Sequence, residues 1–159
     1  MPNWISNHLK VSSDGSEEGN AEFKQFEQIL LQGNDADGEP TFELEKFIPT
    51  PKELIDVIYP CKIIPDEEYK VMDKTKADMM AESTAKRLIE TYGFLDWYNW
   101  RLANWGCKWD VSDYHLSRCS NNVFSCIFLT PWSPPECLYE KLKLRYPHLI
   151  FDEDWVDIG

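Results

Sequence analysis

The spacing of apolar side chains predicts a chain of mixed helices and strands. Alternating apolar and polar residues predict strands over residues 7–12 and 150–156, and a run that is apolar on both faces predicts a central strand over residues 122–130. Helical spacing predicts a helix over residues 20–32. Another helix is predicted to begin at Ser133-Pro134-Pro135-Glu136, a capping box with proline at the start. The pattern indicates an α+β fold.

The period changes inside one aromatic stretch, residues 96–110, which holds four of the seven tryptophans. Its first part has helical spacing, with Asp96 as a suitable N-cap. From Gly106 the alternation has a period of two, which predicts a strand over residues 106–116. Because aromatic side chains dominate core energetics, we favour a structural role for four tryptophans of the chain: Trp4, Trp105, Trp109 and Trp132.

A second group of helices is predicted between the first helix and the second strand. Thr50-Pro51-Lys52-Glu53 has the pattern of a capping box, and residues 78–92 carry a continuous apolar stripe. Without residues 34–105 the order is strand, helix, strand, strand, helix, strand, the split βαβ or ferredoxin-like pattern. We therefore predict an antiparallel ferredoxin-like domain built from residues 1–33 and 106–159, with a mainly helical insertion subdomain over residues 34–105.

Length and composition indicate a soluble, globular protein. A chain of 159 residues can bury enough surface for a core without disulfides, and 43% of its residues are hydrophobic. It contains no run of eighteen apolar residues and no basic segment followed by an apolar one at its start, so we expect a cytoplasmic location without membrane association. The five cysteines form no C-x-x-C pair and are interpreted as buried thiols in a reducing compartment.

Net charge bears most directly on function. Residues 1–60 hold twelve acidic and four basic side chains, which gives them −8 of the total of −12. Such a field repels phosphate backbones and argues against duplex nucleic-acid binding. It would attract a basic protein surface. The competing interpretation is that the charge only keeps the chain soluble.

Catalytic patterns are sparse. Asp113, His115 and Cys119 supply the parts of a nucleophilic triad, but the same spacing is typical of a polar row on one strand face. The carboxylates of Asp152-Glu153-Asp154 are interpreted as exposed acids. No glycine-rich phosphate loop, H-E-x-x-H or G-x-S-x-G occurs. We therefore expect a protein that is not an enzyme and that has no cofactor and no metal.

Four short signatures together resemble the YubB-like family of small proteins carried by conjugative plasmids and bacteriophages. They are Met1-Pro2-Asn3-Trp4-x-x-Asn7, Phe47-Ile48-Pro49-x-Pro51-x-Glu53-Leu54, Trp97-Tyr98-x-Trp100-Arg101-x-x-x-Trp105-Gly106-x-Lys108-Trp109-Asp110 and Trp132-Ser133-Pro134-Pro135. The resemblance implies a ferredoxin-like domain joined to a small helical one. It carries no catalytic residue to this chain, and Ile5 occupies a position that is often cysteine in the family.

Two sets of residues are candidates for binding a partner. Carboxylates alternate over a loop and a predicted short extended segment, at a spacing of roughly 6–7 Å that approximates the phosphates of one nucleic-acid strand. These are Asp35, Asp37, Glu39, Glu43 and Glu45. The second set, Trp97, Trp100 and Arg101, could form a stacking platform or a protein-binding hot spot.

The expected function is binding. We expect a non-catalytic accessory protein of a bacteriophage or plasmid that contacts a host protein with a basic surface, in the specific form of an acidic DNA mimic or counter-defence inhibitor. The alternative is a module that binds single-stranded nucleic acid or nucleotides through the sheet face and aromatic residues.

Overall fold

A computed structural model describes residues 1–34, 38–73 and 78–159 of the chain. In chain order the elements are β1 (Trp4–Ser13), α1 (Glu17–Leu31), α2 (Leu44–Phe47), α3 (Lys52–Ile55), β2 (Lys62–Ile64), α4 (Asp66–Val71), β3 (Met79–Ala81), α5 (Glu82–Tyr92), α6 (Trp97–Asn104), β4 (Ser112–Ser120), β5 (Val123–Pro131), α7 (Glu136–Arg145) and β6 (Leu149–Asp157). They form two compact units, Met1–Pro49 with Asn104–Gly159, and Thr50–Ala103. The predicted α+β class is confirmed.

The first unit contains a four-stranded antiparallel sheet. Its strand order is β4-β5-β1-β6, so β4 and β6 form the two edges. β1 lies between its two neighbours in unbroken register, with Lys10 opposite Ser125 on one side and Asp152 on the other. The β4–β5 hairpin turns at Asn121 and Asn122, which have φ angles of 54° and 58°. Positive φ at both central residues gives the turn the twist that joins antiparallel strands.

One side of this sheet forms the core. Leu9 and Val11 of β1 are buried, whereas His8 and Lys10 between them are exposed. α1 packs on the buried side, where the Phe26 ring lies 5.9 Å from Phe124. The alternation of apolar and polar residues in β1 therefore arises because helices cover one face of the sheet and leave the other exposed.

Several predicted boundaries in this unit move. The first helix begins at Glu17 with Ser16 as its N-cap, three residues earlier than predicted. Residues 44–47 form a helical turn, so the predicted extended segment over residues 41–48 is wrong. The strand predicted from Gly106 begins at Ser112. The unit also includes residues 38–49, because Phe42, Leu44 and Phe47 are part of its buried core.

Asp110 explains the helical turn at Leu44–Phe47. Its carboxylate accepts hydrogen bonds from the backbone nitrogens of Leu44 at 2.7 Å and Glu45 at 3.0 Å. Burial raises the pKa of Asp110, and the bonds from Leu44 and Glu45 oppose that rise. A carboxylate distant in sequence therefore satisfies the first donors of the turn, which local sequence does not reveal.

The second unit is a group of short helices and one small sheet. β2 and β3 pair in parallel, and α5 follows β3 directly. The helix predicted over residues 78–92 begins at Glu82, because Met79–Ala81 forms a strand. The predicted capping box at Thr50 is wrong: α3 has only four residues, and the Thr50 hydroxyl accepts a hydrogen bond from Arg101 Nε at 3.1 Å.

Candidate functional site

The side of the four-stranded sheet that carries His8 and Lys10 is called the open face. Across β1 and β6, His8 lies opposite Asp154 and Lys10 lies opposite Asp152. A shallow groove of about 370 Å³ runs over this part of the face, lined among others by Ser125 of β5. The groove therefore presents Lys10 beside the carboxylates of Asp152 and Asp154, and the described residues that line it include no Phe, Tyr or Trp.

β6 supplies the most exposed acidic segment of the sheet. Every residue from Asp152 to Asp157 is exposed, and among the described strands β6 pairs with β1 alone, so its other side is an edge of the sheet. We call Asp152–Asp157 the acidic edge. Glu153 forms an ion pair with Lys143 at 2.8 Å. Within the parts of the chain that the structure describes, Asp152, Asp154 and Asp157 have no ion-pair partner within 4.0 Å.

A contact with α1 fixes the chain just before β6. Glu22 accepts a hydrogen bond from the His148 backbone nitrogen at 2.8 Å, and its second carboxylate oxygen lies 3.0 Å from His148 Nδ1. The hydrogen bond that the His148 ring donates to the Glu22 carboxylate raises the pKa of His148. This contact attaches the residue that precedes β6 to helix α1.

His148 is expected to titrate above the usual histidine pKa of about 6.5. Protonation is favoured in the folded protein, so the contact stabilises fully below about pH 6.5 and loses its contribution as the pH rises through the raised pKa. NMR titration of the ring protons measures this, and Glu22→Gln should lower the pKa. Glu17→Gln on the same helix serves as the control. A pKa of His148 that Glu22→Gln leaves unchanged would contradict the assignment.

Tryptophans occupy one end of the sheet. Trp4 belongs to the same alternating row of β1 as His8 and Lys10, and its ring centroid lies 6.5 Å from that of Trp109. Lys108 Nζ lies 4.2 Å above the Trp109 ring. Trp109 and Trp132 are 40% and 56% exposed, and Trp105 is fully buried. Of the four tryptophans assigned a structural role, Trp105 is thus a core residue, whereas Trp109 and Trp132 offer aromatic surface.

The predicted acidic stretch does not form an extended array where the structure describes it. Asp35 and Asp37 lie outside the described residues. Glu39 is exposed, Glu43 forms an ion pair with Lys46 at 3.0 Å, and Glu45 belongs to the helical turn α2. Because α2 is helical, Glu43 and Glu45 do not have the spacing of alternate residues on a strand.

The second predicted set, Trp97, Trp100 and Arg101, lies in the Thr50–Ala103 unit and is partly buried. Trp100 is only 7% exposed. The Arg101 guanidinium carbon lies 5.1 Å from the Trp97 ring centroid, so Arg101 and Trp97 form a cation–π pair. The structure therefore brings Trp97 and Arg101 together and buries Trp100.

Asp113, His115 and Cys119, which the sequence analysis considered as a nucleophilic triad and did not favour, are not brought together. His115 Nε2 lies 3.5 Å from Asp113 Oδ1, but a β-bulge between Leu116 and Arg118 places Cys119 on the opposite face of β4. Burial and the neighbouring Glu27 raise the pKa of Cys119 to about 11. Activation of a thiol requires a lowered pKa, so this environment disfavours a nucleophile.

Metal sites, membrane-spanning helices and similarity to known proteins were also considered. Where the chain is described, no three His, Cys, Asp or Glu side chains form a group that could hold a metal ion. None of the described helices combines the length and hydropathy needed to cross a bilayer. No protein-family model, no curated protein and no solved structure matches the chain.

The acidic edge is the main feature that sequence reasoning missed. Its signal was present, since Asp152-Glu153-Asp154 falls inside a predicted strand. Position at an edge depends on strand order, which the local pattern does not encode. The pair formed by half-buried Trp4 and exposed Trp109 was missed for a similar reason, because tryptophans are expected in cores.

Proposed function

We propose that this protein is a non-catalytic binding protein that contacts a basic protein surface through the acidic edge. The observation that carries the proposal is the exposure of all six residues Asp152–Asp157 on a strand with one unpaired side. Alternate residues of a strand stand about 6.6–6.8 Å apart on one face. Asp152 and Asp154 therefore present the carboxylate spacing that was predicted for the acidic residues between 35 and 45.

The specific form that we propose is an acidic DNA mimic or counter-defence inhibitor from a bacteriophage or plasmid. Its mobile-element origin rests on the YubB-like signatures of the sequence. Among the described residues Asp152 and Asp154 form no ion pair within 4.0 Å, which supports this form, because an anionic array competes with phosphates for a basic groove. We also propose that the sheet unit has the ferredoxin-like topology, supported by the strand order β4-β5-β1-β6 with α1 following β1 and α7 preceding β6.

Charge reversal at the acidic edge is expected to weaken partner binding by at least about tenfold, since each lost charge contact at an interface is worth 1 kcal/mol or more. The tagged protein and its Asp152→Lys/Asp154→Lys variant are compared in pull-downs from bacterial lysate at low and high salt. Glu67→Lys/Glu68→Lys changes the net charge equally at exposed residues of α4 and is the matched control.

The wild-type protein and the control should retain a basic, nucleic-acid-binding protein at low salt and release it at high salt. Competition by duplex DNA then tests the mimic form. Equal capture by the charge-reversed variant would overturn the proposal. A further variant with charge reversal at Asp35, Asp37 and Glu39 tests the stretch that the sequence favoured.

The alternative function is binding of single-stranded nucleic acid at the open face. The observation that favours it is the pair of Trp4 and Trp109 with Lys108 beside it, since bases stack on aromatic rings and phosphates attract lysine. Titration with oligonucleotides at low salt should quench tryptophan fluorescence, and Trp109→Ala should reduce the quenching. Absence of quenching would remove this alternative.

A further inference from the structure

The Thr50–Ala103 unit contains a groove of its own, about 420 Å³ in volume. Most of its walls are apolar or aromatic, formed by Tyr59, Ile89, Phe94 and Leu95. The volume is within the range of about 300–1,000 Å³ that is typical of small-molecule sites. The groove is therefore large enough for a ligand of a few carbon atoms with one ring.

Tyr59 forms a rigid part of the wall. Its ring stacks on Tyr98 with centroids 4.2 Å apart and an angle of 13° between the planes. Tyr59 is still 41% exposed, and Ile89 on the neighbouring wall is 47% exposed. Apolar surface is thus open to solvent next to a tyrosine ring held in place by its neighbour, so a ligand can bury it without reordering Tyr59.

Among the described residues that line the groove, Asp96 alone is charged. It is 4% exposed, and its two carboxylate oxygens accept hydrogen bonds from the Asn99 backbone nitrogen at 2.7 Å and from Asn99 Nδ2 at 2.9 Å. Among the described residues no Lys, Arg or His forms an ion pair with Asp96. Desolvation and the charges of Asp78 and Asp96 raise the pKa of Cys61 in the same groove, which indicates a negative potential there.

We propose that this groove binds a small organic cation with an apolar body, of the arylalkylammonium class. The ammonium group complements the desolvated Asp96 carboxylate, and the ring covers the apolar wall beside Tyr59 and Phe94. An aromatic face also attracts a cation directly. The carboxylate repels an anion of the same shape. Selectivity for a positive charge therefore distinguishes this site from a groove that binds ligands by apolar contact alone. The site is independent of the acidic edge.

Asp96 can be changed without removing its structural role. It is the N-cap of α6, and asparagine is an equally good N-cap, so Asp96→Asn keeps the cap and removes the charge. The side-chain amide of Asn99 can rotate to keep its bond to the new residue. Ile89→Ala shortens the apolar wall at a half-exposed position and is the second variant. Glu90→Gln removes an exposed charge from the same helix as Ile89 and is the control.

The test uses the full chain and two probes, phenethylammonium and the anion 3-phenylpropionate, with binding followed by ¹H–¹⁵N NMR. Phenethylammonium should cause saturable shifts in the groove residues. Asp96→Asn should weaken its binding about tenfold or more, the worth of a hydrogen bond to a charged group, and Ile89→Ala should weaken it several-fold. Glu90→Gln should leave it unchanged.

Three results would overturn the proposal. They are the absence of saturable shifts with phenethylammonium, equally tight binding of 3-phenylpropionate, and unchanged affinity in a folded Asp96→Asn variant. Should Asp96→Asn fail to give a folded spectrum, the comparison of the two probes and the Ile89→Ala variant still decide the question.

Discussion

Phe26→Ala is expected to lower the free energy of unfolding by about 3–5 kcal/mol, the usual cost of deleting a fully buried phenylalanine. Phe26 is 0% exposed and lies at the centre of the aromatic core. Its ring centroid is 5.1 Å from Phe47, 5.9 Å from Phe124 and Tyr146, and 6.2 Å from Phe151. These partners come from four separate elements or their ends. The cavity that Phe26→Ala leaves therefore cannot be closed by moving one side chain.

The decrease in the free energy of unfolding of Phe26→Ala is measured by urea denaturation, with far-UV circular dichroism as the signal. Phe26→Leu keeps much of the volume and should cost less than the alanine variant, by about 2 kcal/mol or more. Leu144→Ala on α7 is the control, because Leu144 is 84% exposed, and it should change stability by no more than about 0.5 kcal/mol. A loss at Phe26 as small as that at Leu144 would show that the ring cluster is not the core.

Gly106→Ala is expected to cost about 2–5 kcal/mol, because it combines backbone strain with overpacking. Gly106 has a φ of +95°, a conformation that residues with a Cβ rarely adopt. A Cβ there would lie 3.2 Å from the backbone nitrogens of Glu136 and Cys137 and from the carbonyl oxygen of Pro134. Those atoms belong to the backbone at the start of α7, so they cannot move aside as a flexible side chain does.

Gly33→Ala separates the two causes. Gly33 also has a positive φ, +67°, but a Cβ there would meet no atom of the described residues within 4 Å. Its alanine variant should therefore show the strain alone, about 1–2 kcal/mol. The difference between the two variants, measured by chemical denaturation, reports the close approach of the backbone at residues 134–137 together with the extra strain of a φ of +95° over one of +67°. Equal losses would mean that this approach is not tight.

Local pattern was a good guide where one side of an element faces the core. The strands predicted over residues 7–12, 122–130 and 150–156 are confirmed within β1, β5 and β6, and Asp96 is confirmed as the N-cap of α6. In each case neighbouring residues alone create the signal. A side chain every second residue lies on one face of a strand, and an N-cap bonds to a nitrogen three residues later.

The pattern was a poor guide where a distant residue decides the local structure. The turn at Leu44–Phe47 was predicted as extended, because its apolar positions fit either period and the acceptor for its first nitrogens is Asp110. The separation of His115 from Cys119, two residues that a triad would need together, has a related cause. One extra residue in the bulge of β4 moves Cys119 to the other face from His115, and sequence spacing does not reveal a bulge.

The sequence by itself determined the α+β class, the principal strands and helices, and the excess of negative charge, because these follow from periodicity and composition. Only the tertiary structure decided which strand lies at the edge, which tryptophans are exposed and which carboxylate lines a groove. In the sequence, Asp152 and Glu45 are both acidic residues within short segments predicted as extended. One lies on an unpaired strand and the other in a helical turn, and that difference arises from strand order and long-range hydrogen bonds.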